Sequence, residues 1–193
     1  MAKHRPGSDS GWQAAIDAAL GAAPAAGWHV TREQPPQSRG GRRGRVTGAG
    51  APDYLLSSPE WSIRLEAKHR GTFGRDGGRV TRWPVADVAP HQGTALHRHH
   101  RQGYHALSGV LLRMAVDDTY RIWWLPWDAI YQRWAVTIAR RAVGEPSPRG
   151  MASYTLAALD IISGGASWTT SDVTWCPDFI PAVVELARRE GGG

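Results

Sequence analysis

Apolar residues first recur at helical spacing between Ser10 and Ala23, where Trp12, Ala15, Ile16, Ala19, Leu20 and Ala23 form one face. Serines precede this run as caps and Pro24 closes it, so the pattern predicts a first helix. Strict alternation then marks a strand from Trp61 to Lys68: Trp61, Ile63, Leu65 and Ala67 lie on one side, Ser62, Arg64, Glu66 and Lys68 on the other. Asp53 to Ser57 reads as its partner, joined through a turn at Ser58-Pro59-Glu60. A helix is predicted from about Pro90 to Tyr104. Strands follow over Ala106 to Ala115, a near-continuous apolar run, and Tyr120 to Leu125, rich in aromatic and β-branched residues. Pro126-Trp127-Asp128 opens a helix to about Ala142, and Val143 to Met151 reads as a connection. A short amphipathic helix near the end carries Ile180, Val183, Val184 and Leu186, with Asp178 placed to cap it. Helix, hairpin, helix, strand, strand, helix is the order of an α/β domain, a central mixed sheet flanked by helices.

A chain of 193 residues with 41% apolar content suits one domain with its own core, spanning 1–193. Between 35 and 50 no apolar face can be drawn: Pro, Gly, Ser and Arg dominate, and the segment reads as a flexible basic loop. The ends, 1–8 and 190–193, are expected to be disordered. No apolar run approaches the roughly 18 residues of a membrane span, and the first residues lack the apolar core of a secretory signal, so a cytoplasmic location is expected. The lone Cys176 cannot form an internal disulfide.

Charge changes the picture. A formal net charge of +6 and a pI near 10.1 favour a polyanionic partner, since each phosphate neutralised by a cation releases counterions from nucleic acid. Lys3 and Lys68 are the only lysines among 23 basic residues. In so arginine-biased a chain, an internal lysine suggests a position where a compact ammonium with three rotatable donors is required. Folding the hairpin about Pro59 sets Asp53 beside Glu66 within one register step, and Lys68 shares the Glu66 face. Two carboxylates and an ammonium then meet at one sheet edge. A cation between the carboxylates relieves their repulsion, and hard oxygen ligands suit magnesium, with manganese as substitute. Such an ion acidifies a water it holds and neutralises charge building on phosphorus. The competing interpretation is an ordinary ion pair on a solvent-facing hairpin.

Pro52-Asp53 followed by Glu66-Ala67-Lys68 resembles the PD-(D/E)xK nuclease signature. With Trp83-Pro84, His91-Gln92, the paired strands beyond and Pro177-Asp178-Phe179-Ile180, the chain is similar to the RecU-type Holliday junction resolvases over roughly Gly11 to Leu186. That resemblance implies a restriction-endonuclease-like core, a homodimer, and magnesium-dependent nicking of four-way DNA junctions at two symmetric phosphodiesters, with no small-molecule cofactor. It also implies that Asp53 and Glu66 are metal ligands, joined by the backbone carbonyl of Ala67, and that Lys68 is the catalytic lysine. Gln92 resembles the glutamine that opens the helix after the site in such nucleases, although a polar residue at a helix N-terminus also has an ordinary structural role. Two departures stand out: Gln13 replaces a glutamate that relatives direct at the site from the first helix, and a short Arg/Gly loop replaces the family's stalk.

The DNA-contacting residues expected around this centre are Arg42, Arg43 and Arg45 in the basic loop, Arg70, Arg75, Arg79 and Arg82 after the second strand, and Arg98 and Arg101 on the helix beyond. The run His97-Arg98-His99-His100-Arg101 places His97, His100 and Arg101 on one helical face and turns His99 away, which fits a basic surface strengthening towards pH 6.5 better than a zinc site. Tryptophans such as Trp61, Trp123 and Trp127 read as core, whereas Trp83, in the loop after the active strand, is a candidate for stacking on an unpaired base.

Overall fold

The computed structural model describes residues 9–32, 53–71 and 80–191. The basic segment at 35–50 with Arg42, Arg43 and Arg45, the residues Arg75 and Arg79, and the end at 1–8 lie outside the described residues. Along the chain run α1 (Asp9–Leu20), β1 (His29–Arg32), β2 (Tyr54–Ser57), β3 (Ser62–Arg70), β4 (Arg82–Pro84), α2 (Pro90–His100), β5 (Ala106–Val116), β6 (Thr119–Pro126), α3 (Trp127–Ala142), β7 (Ser153–Thr155), α4 (Leu156–Ile162), β8 (Ser167–Thr170) and α5 (Ile180–Gly191). Six strands form one sheet in the order β1-β2-β3-β5-β6-β8, while β4 and β7 pair separately. Only β3 and β5 are parallel within the large sheet, so it is mixed, with helices on both faces.

The alternation legible in the sequence sorts the two cores. Trp61, just before β3, and Ile63 and Leu65 within it face a cluster built with Trp12 and Ile16 of α1 and Val183 of α5. Val110, Leu112 and Met114 of β5 face the opposite cluster, built from α2, α3 and α4 with Trp83, Trp123 and Trp127. Trp83 is fully buried and stacked on Tyr154, so it belongs to this second core and offers no platform for a base. Deleting such an indole costs about 3–5 kcal/mol, which is reason enough for its presence.

The β2–β3 hairpin is closed by Ser58, whose N–H donates to the Trp61 carbonyl at 2.8 Å while its Oγ accepts from the Trp61 N–H at 3.0 Å. Tyr54 pairs with Leu65, so Asp53, one residue earlier, falls next to Glu66. A parallel neighbour for β3 cannot be reached by a tight turn. The connection to β5 is a crossover through β4 and α2, and it carries the start of α2 back over the carboxyl end of β3.

Three boundaries differ from the sequence pattern. Helix α2 stops at His100, and Gly103 at φ 123° turns the chain into β5, where a helix through Tyr104 was expected. Helix α5 begins at Ile180, which puts Phe179 rather than Asp178 at the capping position, and it continues to Gly191 past the expected disordered end at 190. The short elements β1, β4, β7, α4 and β8 carry too few residues for a period to register.

Helices α2 and α3 touch at Gly93, where an added Cβ would overlap the Trp134 indole. Trp134 is itself held by a 2.9 Å hydrogen bond from its Nε1 to the Val88 carbonyl. Gly93→Ala is therefore expected to destabilise the fold by about 1–3 kcal/mol, the usual range for overpacking, as read by urea denaturation; an unchanged midpoint would show that α2 is not seated this way.

Candidate active site

In open α/β sheets, binding crevices form outside the carboxyl ends of strands, where helix N-termini converge. That is where the charged face of β3 comes out. Glu66 and Lys68, two residues apart, point the same way, and the Lys68 Nζ lies 2.7 Å from Glu66 Oε1. β2 has ended by this level, so the Ala67 N–H has no ladder partner there and donates instead to Asp53 Oδ2 at 2.9 Å. The N–H and C=O of one strand residue leave on the same side, so the Ala67 carbonyl shares this edge with Asp53.

Gln92 completes the cluster from above. As the third residue of α2 its Oε1 accepts the Ala89 N–H at 3.0 Å, which fixes the side chain at the helix start. Ala89 has no side-chain acceptor, so the reciprocal half of a capping box is missing. The same Oε1 accepts from Lys68 Nζ at 3.1 Å, and Nε2 donates to Glu66 Oε1 at 2.5 Å. Pro90 opens α2 in the position where its missing N–H costs nothing.

From the other side, α1 supplies Gln13. Its Nε2 reaches Asp53 Oδ1 at a long 3.4 Å, while its Oε1 accepts from Arg32 at 2.8 Å. Arg32 is also paired with Asp17 at 2.7 Å, and Asp17 accepts the Tyr54 hydroxyl at 2.8 Å. Arg32 thus dictates which end of the Gln13 amide faces Asp53: the donor end. Beneath the site, Arg113 is fully buried, sandwiched 4.5 Å from Trp12 and 4.6 Å from Tyr120, donating to His69 Nδ1 at 3.1 Å and the Val173 carbonyl at 2.7 Å. It ties α1 to the strand end one residue on from Lys68. Sequence reasoning missed Arg32, His69, Asp87 and Arg113 as participants; the position of Arg113 inside an apolar run was the one available signal.

These groups surround a pocket of about 560 Å³, with Gln13, Asp53, Glu66, Lys68 and Gln92 among its walls. A second cavity of about 330 Å³, between Leu107, Trp124 and Val183 at the opposite end of β5, contains none of them. Arg70 also lines the first pocket but is held by Asp87 in a two-pronged ion pair at 2.7 and 3.2 Å. Arg82, Arg98 and Arg101 are exposed, outside the cluster. His97 is stacked on Tyr131 with ring centres 4.0 Å apart, and His99 contacts the Ser62 carbonyl at 3.3 Å. Burial lowers the pKa of both imidazoles, which for His97 works against the low-pH charge expected of a basic face, while His99 is turned inward as its spacing predicts.

Glu66 is 1% exposed, and among the described residues its Oε2 has no well-formed hydrogen bond. Burial pushes its carboxyl up to about 7; the Lys68 ammonium opposes the shift, and Asp53 adds to it through its charge while its backbone N–H offsets part of it. Asp53 is also raised by burial, against the Ala67 N–H, Lys68 and Arg32. Among the described residues no group of three or more His, Cys, Asp or Glu is placed to hold a metal ion by itself. Two carboxylates with a buried, unsatisfied oxygen nevertheless fit a hard divalent ion that keeps several of its waters, with the Ala67 carbonyl as the further protein oxygen.

The raised Glu66 pKa has a measurable sign. Between its ordinary 4.5 and about 7 the folded chain holds a proton that the unfolded chain has released. Its contribution to stability is therefore complete below the unfolded value and lost as pH rises through the folded one. Without metal, wild type should lose stability relative to Glu66→Gln between pH 4.5 and 8, by on the order of 3 kcal/mol; parallel denaturation profiles of the two would refute the assignment. Set against known proteins, the chain matches no family model and no curated sequence, so the site is characterised by its own geometry.

Proposed function

We propose that this chain is a divalent-metal-dependent DNA endonuclease that cuts four-way junctions as a homodimer. The observation that carries the reading is the buried Glu66 Oε2 beside Asp53, without a well-formed hydrogen bond among the described residues, with the Lys68 ammonium fixed 2.7 Å from the other Glu66 oxygen. Asp53, Glu66 and the Ala67 carbonyl would hold Mg²⁺, with Mn²⁺ as substitute. When bound, the ion supplies Lewis-acid polarisation of a phosphodiester and acidification of a water.

The chain's own residues do the rest. Two of the three Lys68 hydrogens go to Glu66 Oε1 and Gln92 Oε1, which leaves the third to direct at a phosphate oxygen or the attacking water. Hydrolysis joins the water oxygen to phosphorus as one P–O ester bond breaks, and negative charge grows on the phosphoryl oxygens next to that ammonium. Gln92 keeps Lys68 and Glu66 in register through its own anchorage to the start of α2. The helix N-terminus adds a favourable field for an anion.

DNA as substrate is supported by the +6 charge and by the exposed Arg82 on β4, Arg98 on α2 and Arg101 just past the end of α2. Arg98 lies about 12 Å along the helix from its start, a reach suited to a flanking phosphate, and Arg101 caps the far end. Preference for a four-way junction comes from the motif resemblance to RecU-type resolvases, and a two-fold dimer would present two such pockets to two strands. Among the described residues no helix is long and apolar enough to cross a membrane.

A second reading has one observation in its favour. The Gln13 amide, backed by Arg32, approaches Asp53 where a further acidic ligand would bring more metal affinity, so the chain would bind junctions with weakened cutting. Magnesium-dependent cleavage of a synthetic four-way junction separates the two. Cutting is expected with wild type and should fall at least about a hundredfold in Asp53→Asn and Lys68→Ala while junction binding survives. Retardation without cutting in magnesium or manganese, with activity gained in Gln13→Glu, would favour the binding protein, and equal cutting of linear duplex would point to a nuclease of other DNA.

A further inference from the structure

The charged face of β3 does not end at Lys68. Arg70 occupies the next position on the same side, so carboxylate, ammonium and guanidinium stand in a row at steps of about 6.6 Å. Unlike Lys68, Arg70 faces a carboxylate that belongs to neither strand. Asp87 ends the short 3-10 turn Val85–Asp87 between β4 and α2, and Val85 and Val88 on either side of it are buried. The backbone of this turn is thus anchored, while the two side chains meet at the pocket rim, 39% exposed for Arg70 and 29% for Asp87.

We infer that Asp87 masks Arg70, a DNA-binding residue whose guanidinium takes the backbone phosphate next to the one at Lys68 when nucleic acid displaces the Asp87 carboxylate. Nε and an Nη of Arg70 grip Asp87 at 2.7 and 3.2 Å, the two-pronged geometry that phosphate oxygens also satisfy. An ion pair this exposed is weakly held, so exchanging its anion costs little. The displacement needs only side-chain rotation at Asp87, because its neighbours stay packed. In the free chain Asp87 neutralises a cation beside the catalytic cluster and repels misplaced phosphates, making it a filter on which DNA seats fully. Its effect is a graded penalty on phosphates that arrive without enough other contacts to drive the exchange.

The inference rests on the DNA reading but not on catalysis, so it is tested by binding in EDTA. Fluorescence anisotropy of a labelled four-way junction is measured over a sodium chloride series with the full chain. Asp87→Asn should tighten binding by up to about fivefold, the equilibrium factor of one exposed ion pair. Arg70→Ala should weaken it and reduce the salt slope by about 1. In the double variant the gain from Asp87→Asn should vanish, since it acts through Arg70. Weaker binding in Asp87→Asn, or a gain that persists without Arg70, would overturn the masking role, with thermal melts of each variant separating this from loss of fold. A wild-type chain that binds no DNA at any salt would instead overturn the proposed function, and the masking role with it.

Discussion

A carboxylate withdrawn from water imposes its needs on everything around it, and in this fold that carboxylate is Glu66. One oxygen is met by Lys68 and Gln92, while the other has no well-formed hydrogen bond from any described residue. An ionised group in such a position costs several kcal/mol unless it is paired or takes up a proton. Three parts of the chain are arranged around it: the end of β2 that brings Asp53, the start of α2 that brings Gln92, and the helix α1 that closes the pocket. The parallel pairing of β3 with β5 is what makes this convergence feasible, because it forces a crossover whose helix begins over the strand end.

The core of this arrangement was legible in the sequence. Alternation from Trp61 to Lys68 fixed the faces of β3, and Pro59 fixed the turn, so the neighbourhood of Asp53, Glu66 and Lys68 followed from local rules. Local rules do not reach Arg113. Its contacts come from His69 and Val173, 44 and 60 residues away, and within an apolar run it has no mark of the side it faces. Trp83 illustrates the reverse error: a loop position beside the active strand suggested exposure, but pairing of β4 with β7 carries the indole into the core. Arg32 sits on an edge strand too short to be recognised, so its grip on Gln13 could not be foreseen.

Cations at this site differ in what they are free to do. Arg32 is engaged by Asp17 and Gln13, Arg113 is enclosed by aromatic rings and the Val173 carbonyl, and Arg70 is engaged by Asp87. Lys68 is the least committed in geometry, since a point charge with rotatable hydrogens retains a direction to offer. The pocket thus fixes Arg32 and Arg113 for architecture, leaves Arg70 in an exchangeable rim pair and keeps one ammonium adaptable, which gives a physical meaning to an internal lysine in an arginine-rich chain.

Gln92 serves the helix and the pocket with the same amide. When the first turn of α2 frays, the side chain that terminates it leaves Lys68 and Glu66 in the same motion. The geometry of the pocket is therefore coupled to the integrity of that helix start, because one amide serves both.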